Sequence, residues 1–495
     1  MPGSVKERED DRVEPTTVIQ YIDGQWRNPR QPEWFESVNP ANGETVAVCA
    51  VSPEGDVEES IAAAKNAFRR WRRVPAPQRA TYLWKVAEIL EARKPDLARM
   101  MTLEMGKVLA ESLAEVDTVI ASCRYMAGEG RRMFGDTLPS GMDNRTIMTV
   151  REPIGVVACI TPWNFPLSLA AYKLFAALVA GNTVVWKPSS EVAVCAKLFT
   201  EVFEESGLPP GVLNLVLGSG ARVGNLLARH PDVRAIAFTG STEVGKGLAE
   251  MAGRTLKRVS LELGGKNAVL VLADADLDKA AAGIVQSAFA TSGQRCTAAG
   301  RVIVEASVQE ELERRIVQLT EKLTVGYGLD PKVQMGPLAN AKQFSTVSRY
   351  VLTAKDEGGR VLFGGHPVSV EGFEEGFFYA PTVITNVQRH HRIAREEVFG
   401  PVLAILTARD FDEAVEINNE TQYGLSTAVY TNNLHYANRA ARECESGLVY
   451  INSGTSNAEM GAAFGGFKDS GNGHREVSYH AFDVMTEWKT IYTSY

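Results

Sequence analysis

Residues 154–190 read IGVVACITPWNFPLSLAAYKLFAALVAGNTVVWKPSS. The runs 155–161 and 183–187 are short, apolar and rich in β-branched residues, which predicts strands. Between them, 168–180 is apolar all round, which predicts a buried helix that breaks at Gly181. The same unit continues outward. Strands are predicted at 213–217 and 235–239, and helices at 191–206, 221–230 and 243–251, with Gly207-Leu-Pro-Pro-Gly as punctuation. Strands separated by helices of this length require crossover connections, hence a parallel sheet. Such sheets bind ligands where strand ends meet helix starts.

After Val259 the alternation resumes, with strands at 267–272, 301–305 and 402–406 and helices at 276–292 and 308–323. The fold class is therefore α/β, with two parallel-sheet domains. Ahead of the first sheet, Tyr21-Ile-Asp-Gly-Gln-Trp reads as a strand entering a turn, and 57–71 and 78–93 as amphipathic helices. The stretch 125–148 carries Gly128, Gly130, Gly135 and Gly141 and ends in strand-like 145–150, so it reads as a hairpin leaving the body. The tail 484–492 alternates like a strand. Two projecting strands would present paired edges to another subunit.

The chain has 495 residues, 52 Lys plus Arg against 60 Asp plus Glu, and a formal net charge of −8. That balance excludes a nucleic-acid binder acting through bulk electrostatics. With 45% hydrophobic and 23% charged residues the chain can bury a large core, so disorder is excluded. Cys49, Cys123, Cys159, Cys195, Cys296 and Cys444 are scattered, and the seven His show no ligand spacing. Neither a disulfide framework nor a metal site is expected. Residues 1–13 lack the apolar core of a secretory signal, and 154–186 is interrupted too often to span a membrane. A cytoplasmic location is expected.

Several residues could carry chemistry. Cys296, in Ser292-Gly-Gln-Arg-Cys-Thr, falls on a loop beside Arg295, where a nearby positive charge or backbone N–H groups would favour the thiolate; the alternative is a buried structural thiol. Glu262 lies among apolar residues before a Gly-Gly turn, where desolvation would raise its pKa toward general-base range. It is otherwise an exposed strand-edge acid or a partner of Lys266. Asn164, between two prolines at a strand end, is either a neutral oxyanion donor or an Asx-turn residue. Gly240 to Gly245 and Gly218 to Gly224 open helices after strands, where backbone N–H groups would meet phosphate, or where glycine serves turn geometry alone. Lys187 ends a strand and is either a nucleotide contact or a solvated lysine.

Eight pieces in order resemble the aldehyde dehydrogenase superfamily over about residues 18–492: Thr161-Pro-Trp-Asn-Phe-Pro, Trp186-Lys-Pro-Ser, Gly207-Leu-Pro-Pro-Gly, Phe238-Thr-Gly-Ser, Leu261-Glu-Leu-Gly-Gly-Lys, Gly293-Gln-Arg-Cys, Glu396-Glu-Val-Phe-Gly-Pro and Phe464-Gly-Gly-Phe-Lys-Asp-Ser-Gly. The resemblance implies a Rossmann-like cofactor domain (18–128 and 150–262), a catalytic domain (263–470), a β oligomerisation arm (129–149 and 480–495) and an N-terminal arm (1–17). It implies oxidation of an aldehyde to the acid with NAD or NADP, through a thiohemiacetal and a thioester on Cys296. Asn164 and the Cys296 N–H would hold the oxyanion, Glu262 would activate the hydrolytic water, and Lys173 would join a proton relay. Thr161, Pro162, Trp163, Lys187, Ser190, Gly240, Ser241, Gly245, Leu263, Gly264, Glu397 and Phe399 would hold the cofactor. Phe165, Tyr172 and Phe464 would line the substrate tunnel, with Arg295 and Thr297 beside the nucleophile. A homodimer or homotetramer is implied, with no membrane or nucleic-acid partner. Glu262 argues against the CoA-acylating branch. The competing classes are a catalytically idle binding relative and a cofactor-independent thiol esterase.

One position departs from the family. The common Lys-Pro-Ser-Glu is here Lys187-Pro-Ser-Ser190, followed by Glu191. Without a carboxylate at position 190 to repel a 2′-phosphate, NADP should be tolerated or preferred. Gly293-Gln-Arg-Cys-Thr and Ser470-Gly-Asn-Gly-His-Arg-Glu resemble branches that oxidise semialdehydes, whose carboxylate Arg295 would anchor.

Overall fold

Strands Val156–Ile160, Thr183–Lys187, Leu213–Leu215, Val233–Thr239 and Arg258–Glu262 form the parallel part of a seven-stranded sheet. The structure, a computed structural model, describes residues 14–456 and 459–495. Val156–Ile160 is central. The chain first adds strands on one side of it, through Thr183–Lys187 and Leu213–Leu215, then returns to add Val233–Thr239 and Arg258–Glu262 on the other. The switch point lies between Val156–Ile160 and Val233–Thr239, so the turns at Thr161 and Gly240 flank one crevice. An antiparallel hairpin, Gln20–Ile22 with Gln25–Arg27, extends the edge.

Helix Ser168–Ala180 is buried along nearly its whole length, as its all-round apolarity predicts. It packs on one face of the sheet with helices Ala76–Met105, Leu109–Glu129 and Ala193–Glu205. The opposite face is covered by Glu54–Trp71 and Thr242–Gly253. A second seven-stranded sheet runs in spatial order Arg360–Phe363, Thr382–Thr385, Val402–Ala408, Ala299–Glu305, Asn267–Val271, Ser426–Tyr430 and Leu448–Ile451, parallel except for its first strand. Apolar clusters cover both of its faces. The molecule thus contains two α/β domains. A separate three-stranded sheet pairs Thr486–Ser494 with Arg145–Pro153 along their full length and adds Thr137–Leu138.

Several expectations are corrected. The helix expected at 78–93 runs Ala76–Met105 through Pro95, because Leu97, Ala98 and Met101 beyond the proline are buried in the core. Residues 125–129, expected in a hairpin, complete helix Leu109–Glu129. The helix expected at 221–230 is a π turn, Gly220–Gly224, followed by Asn225–Arg229. The helix expected at 276–292 stops at Phe289 and yields to a tight turn, Ala290–Gly293, in which Thr291 and Ser292 are left-handed. Of the expected N-terminal arm, 1–13 lies outside the described residues, and Thr16 and Thr17 belong to a strand pairing with Thr45–Ala50.

Candidate active site

Strand Arg258–Glu262 delivers Glu262 to the crevice opposite Thr239. Glu262 is buried and neither carboxylate oxygen has a hydrogen-bond partner. Burial holds its pKa well above the usual carboxylate range. The neighbouring Glu476 adds to the rise, and Lys173 and Arg475 oppose it. The alternatives of an exposed acid and a Lys266 pair both fail. Lys266 is itself buried, and its pKa is lowered to about 7 by burial and by Arg301, against Glu397 and Glu396.

Cys296 stands half-buried on the loop between Ala290–Gly293 and Ala299–Glu305, the least enclosed of the six free cysteines. The loop is pinned by Asn267, whose Nδ2 donates to the Cys296 carbonyl at 2.7 Å and the Ala298 carbonyl at 2.9 Å. Arg295 does not activate the thiol as expected. The thiol is instead pushed up to about 12, first by burial and then by Glu262 and Glu397, against the N–H groups of Thr297 and Cys296. The guanidinium is engaged elsewhere: Nη2 donates to Glu111 at 3.2 Å and Nε to Thr291 Oγ1 at 3.0 Å. Thr297 is buried, and its carbonyl accepts from Thr455 Oγ1 at 2.6 Å.

Asn164 is buried, and its Nδ2 donates to the carbonyl of Gln294 at 3.0 Å, two residues before the thiol. This bond crosses 130 residues of sequence, so the amide is aimed at the nucleophile loop and not at its own turn. Phe165, next along, has the Lys107 ammonium 3.9 Å and the Arg295 guanidinium 5.6 Å from its ring centre. The Tyr172 hydroxyl is pushed above its usual range by burial, then by Glu115, Glu476 and Cys296. Phe464 forms a two-way backbone bridge with Glu476, at 3.0 and 2.8 Å.

Lys173 is buried and lies close to Glu262 without bonding to it. Its ammonium donates to Thr239 Oγ1 at 2.6 Å and to both oxygens of Glu476, at 2.7 and 2.9 Å. Glu476 was not singled out from the sequence. It sits in His474-Arg-Glu-Val-Ser, which carries no signal distinguishing it from a solvated charge run.

The crevice also differs from the neighbouring strand–helix turns in how its helix terminus is capped. Helix N-termini hold partial positive charge and free N–H groups. At Ser168–Ala180 they are occupied by Glu115, which accepts from the N–H groups of Leu167 and Ser168 at 2.9 and 3.0 Å. At Ala193–Glu205 they are occupied by Glu104, accepting from Val194 and Cys195 at 2.9 and 2.7 Å. Helix Thr242–Gly253, which starts after Gly240-Ser241, has no side-chain cap at Ser241. Of these three, only that terminus is left to an external anion. Gly240 donates to the Glu262 carbonyl at 3.1 Å and Gly245 to the Ser241 carbonyl at 3.0 Å, which fixes the turn.

Leu263 is anchored through its N–H to Ser470 at 3.0 Å. A Cβ on Gly264 would lie 2.3 Å from Glu397 Oε2, so only glycine lets that carboxylate close over the strand end. Glu397 Oε1 accepts the Gly265 N–H at 3.0 Å, and burial lifts its pKa to about 7. Phe399 meets Trp163 edge-on at 5.5 Å. Thr161 Oγ1 accepts from Trp186 at 2.9 Å, with Pro162 beginning the turn.

Lys187 and Ser190 lie apart from the thiol, at the end of the next strand. Lys187 is buried, with its pKa lowered to about 8 by burial against the pull of Glu191. Ser190 begins a one-turn 3₁₀ helix, Ser190–Val192. Within it Glu191 accepts from Ser189 and, at 3.5 Å, from Asn340 Nδ2.

Residues 26–491 match the family described as "Aldehyde dehydrogenase family". The chain is 40% identical over 482 residues to α-ketoglutaric semialdehyde dehydrogenase of Bacillus subtilis, covering 97% of this chain and 99% of that protein. Among solved structures, betaine aldehyde dehydrogenase of Staphylococcus aureus in complex with NAD+ superposes with a TM-score of 0.94 at 33% identity, covering 96% of this chain and 95% of the other. An NADP-dependent enzyme of E. coli superposes with a TM-score of 0.94 at 36% identity, covering 97% and 98%. A buried amide bonded to the loop of a half-buried thiol, a buried acid acting on that thiol and a family match over residues 26–491 place this protein in the aldehyde dehydrogenase family.

Proposed function

We propose that the chain oxidises an aldehyde to its carboxylic acid with NAD or NADP as oxidant, Cys296 being the nucleophile. The observation that carries this is the bracketing of a half-buried thiol by Glu262, buried and unpartnered, and Asn164, buried and aimed at the same loop. A nicotinamide held between Glu397, Phe399 and Trp163 would supply the hydride acceptor. Everything else falls to side chains. A thiol pushed up to about 12, first by burial and then by Glu262 and Glu397, attacks faster when a base takes its proton, and Glu262, whose proton affinity is raised by burial, fits that task. Asn164 Nδ2 and the Cys296 N–H stabilise the oxyanion. Once the thiol proton has left through Lys173 and Glu476, Glu262 is a carboxylate again; after hydride loss it takes a proton from the water that attacks the thioester carbonyl, and the C–S bond breaks with the thiolate leaving. Lys173 with Glu476 leads that proton away from the site. An enzyme idle in catalysis has no physical need for this unpaired acid. The test is growth of absorbance at 340 nm with aldehyde and NAD(P)+, lost in Cys296→Ala; ester hydrolysis without cofactor reduction would favour the thiol esterase instead.

For the cofactor, the turn at Gly240, Ser241 and Gly245 takes the pyrophosphate. Glu397 takes the nicotinamide-side ribose, with Phe399, Trp163, Leu263 and Gly264 around the ring and Thr161 and Pro162 behind it. Lys187 and Ser190 meet the adenosine end, where NADP is accepted.

For the substrate, a carboxylate-bearing semialdehyde remains the finer proposal, supported by the Bacillus subtilis relative. Arg295 would offer it Nη1, which has no partner among the described residues, while Glu111 half-cancels the charge. Preference over an uncharged analogue is therefore expected below about tenfold, roughly 1.4 kcal/mol. A panel of alkanals, benzaldehyde and ω-carboxy aldehydes tests it, and equal kcat/KM across the panel removes Arg295 as an anchor.

Self-association is proposed through the three-stranded sheet, whose Trp488, Tyr492 and Met148 are exposed. The domain division stated from the sequence is proposed with two boundary changes, Thr16 and Thr17 joining the strand that pairs with Thr45–Ala50 and Glu129 closing helix Leu109–Glu129. A cytoplasmic location is proposed too, which suits six unpaired cysteines. Among the described residues no helix is long and apolar enough to cross a membrane.

A further inference from the structure

Three successive residues ahead of the nucleophile are left-handed: Thr291 (φ 54°, ψ 33°), Ser292 (φ 55°, ψ 34°) and Gly293 (φ 68°). Two of them carry side chains, a disfavoured arrangement that persists only where surroundings impose it. Gly293 is fixed by space, since a Cβ there would lie 2.2 Å from the Gly400 carbonyl oxygen. Ser292 is held through its hydroxyl, which donates to Gly336 O at 2.7 Å. Thr291 is held by Glu111. Its N–H donates to Glu111 Oε1 at 2.8 Å, the same oxygen that receives Arg295 Nη2 at 3.2 Å, and Arg295 Nε closes the ring on Thr291 Oγ1 at 3.0 Å.

Glu111 lies in the first turn of helix Leu109–Glu129. Glu115, one turn on and on the same face, accepts the N–H groups of Leu167 and Ser168 at 2.9 and 3.0 Å. Those two residues follow Asn164 by three and four positions. Glu115 is itself locked by Lys107 at 2.5 Å, both side chains fully buried. A single helical turn therefore grips both loops of the reaction centre. Glu111 holds the one bearing Cys296 and Glu115 the one bearing Asn164.

We propose that Glu111 is a positioning residue that sets the distance between the Cys296 thiol and the Asn164 amide, acting through the left-handed turn at Thr291. The proposal rests on the thiol mechanism above, in which those two groups act on one carbonyl. Small displacements of such a pair are costly, because attack and oxyanion capture occur together.

The test crosses Glu111→Ala and Glu111→Gln with Asn164→Ala. Glu111→Ala should lower kcat roughly 10- to 100-fold in the Asn164 enzyme but less than about 3-fold in the Asn164→Ala background, because a spacing error matters only while the amide is there. Glu111→Gln keeps an acceptor for the Thr291 N–H and should stay within about 3-fold of wild type. A second readout needs no aldehyde. The rate of Cys296 alkylation by iodoacetamide should change at least about 5-fold in Glu111→Ala and return in Glu111→Gln, since loop geometry governs thiol access. A wild type that alkylates normally but reduces no cofactor would sink the thiol mechanism, while the alkylation arm still decides the role of Glu111. Equal losses from Glu111→Ala in both backgrounds, or an unchanged alkylation rate, would overturn the proposal. If Glu111→Ala does not fold, Glu111→Gln decides alone: activity within about 3-fold supports the acceptor role, and a tenfold loss overturns it.

Discussion

Lys173 and Glu476, 303 residues apart in the chain, form a buried ion pair at 2.7 Å. Each acts on Glu262, with opposite sign: Glu476 raises its pKa and Lys173 lowers it. The pair therefore sets how readily the unpartnered carboxylate takes a proton. Glu476→Gln removes the repelling charge and leaves the cation, so the acid limb of the kcat–pH profile should move to lower pH. Lys173→Met leaves two acids together, so the limb should move to higher pH. Both variants break a buried pair and should lose about 3–5 kcal/mol of stability. Denaturant melts and pH profiles check this, and shifts in the same direction would refute the electrostatic account.

Glu262 is assigned to proton transfer in both halves of the reaction, but the two halves do not need it equally. A nicotinamide cation beside Cys296 can favour the thiolate without any base, whereas water attacking a thioester has no substitute for it. Glu262→Gln should therefore form about one equivalent of NAD(P)H per site in a rapid burst. Steady turnover should then be slower by about 10² or more, the usual contribution of a positioned base. Asn164→Ala should instead diminish the burst itself, by about 10²–10³ for one oxyanion donor. Stopped-flow absorbance at 340 nm separates the two, and a Glu262→Gln enzyme with neither burst nor turnover would make the acid indispensable to the first half.

The parallel sheets were legible because both faces of each strand are buried, which leaves continuous apolar runs such as Val156–Ile160. Cys296, Glu262 and Asn164, each at or beside a strand or helix end, stayed open between chemistry and plain structure on the residues alone, and only the family resemblance implied their roles. Helix Leu109–Glu129 was not legible. Its inward face carries Ser112 and Glu115 as well as Val116 and Val119, so the apolar period is broken by polar residues that only their distant partners justify. Glu111 and Glu476 were invisible for the same reason, since their partners lie 180 and 303 residues away. Of the two aids to the thiolate that the sequence offers, a neighbouring cation or backbone N–H groups, the N–H groups of Thr297 and Cys296 lower the thiol, while the Arg295 guanidinium bonds Glu111 and Thr291, because adjacency in sequence says nothing about where a guanidinium points.

By the family resemblance, Ser190 takes the position of a carboxylate proposed to face the adenosine ribose, and Glu191 is one residue on. Its oxygens are taken up by Ser189 and Asn340. Ser190→Glu should restore the repulsion of a 2′-phosphate and lower the NADP/NAD ratio of kcat/KM by about tenfold, as expected of one like-charge contact of roughly 1.4 kcal/mol. Glu191→Gln should change the ratio less, because that carboxylate is held by Ser189 and Asn340. Kinetics with both cofactors decide, and an unmoved ratio in Ser190→Glu would remove position 190 from cofactor choice.

Glu104 makes a prediction about stability rather than rate. It is buried beneath Val194 and Cys195, and burial raises its pKa to about 7 against the hydrogen bonds it accepts. Above its ordinary value of about 4.5 the unfolded chain releases this proton, while the folded protein keeps it until near pH 7. The folded state therefore binds more protons across that window, and stability must fall as pH rises through it. A gap of this size corresponds to about 3 kcal/mol at 1.36 kcal/mol per unit. Glu104→Gln cannot titrate, and it leaves either Cys195 or Val194 N–H without an acceptor, costing about 1–3 kcal/mol at every pH. Wild type should accordingly be the more stable of the two at pH 5, and the difference should shrink by about 3 kcal/mol, or reverse, by pH 8. Urea unfolding of both proteins at the two pH values measures it, and a difference that stays constant would mean Glu104 is ionised throughout.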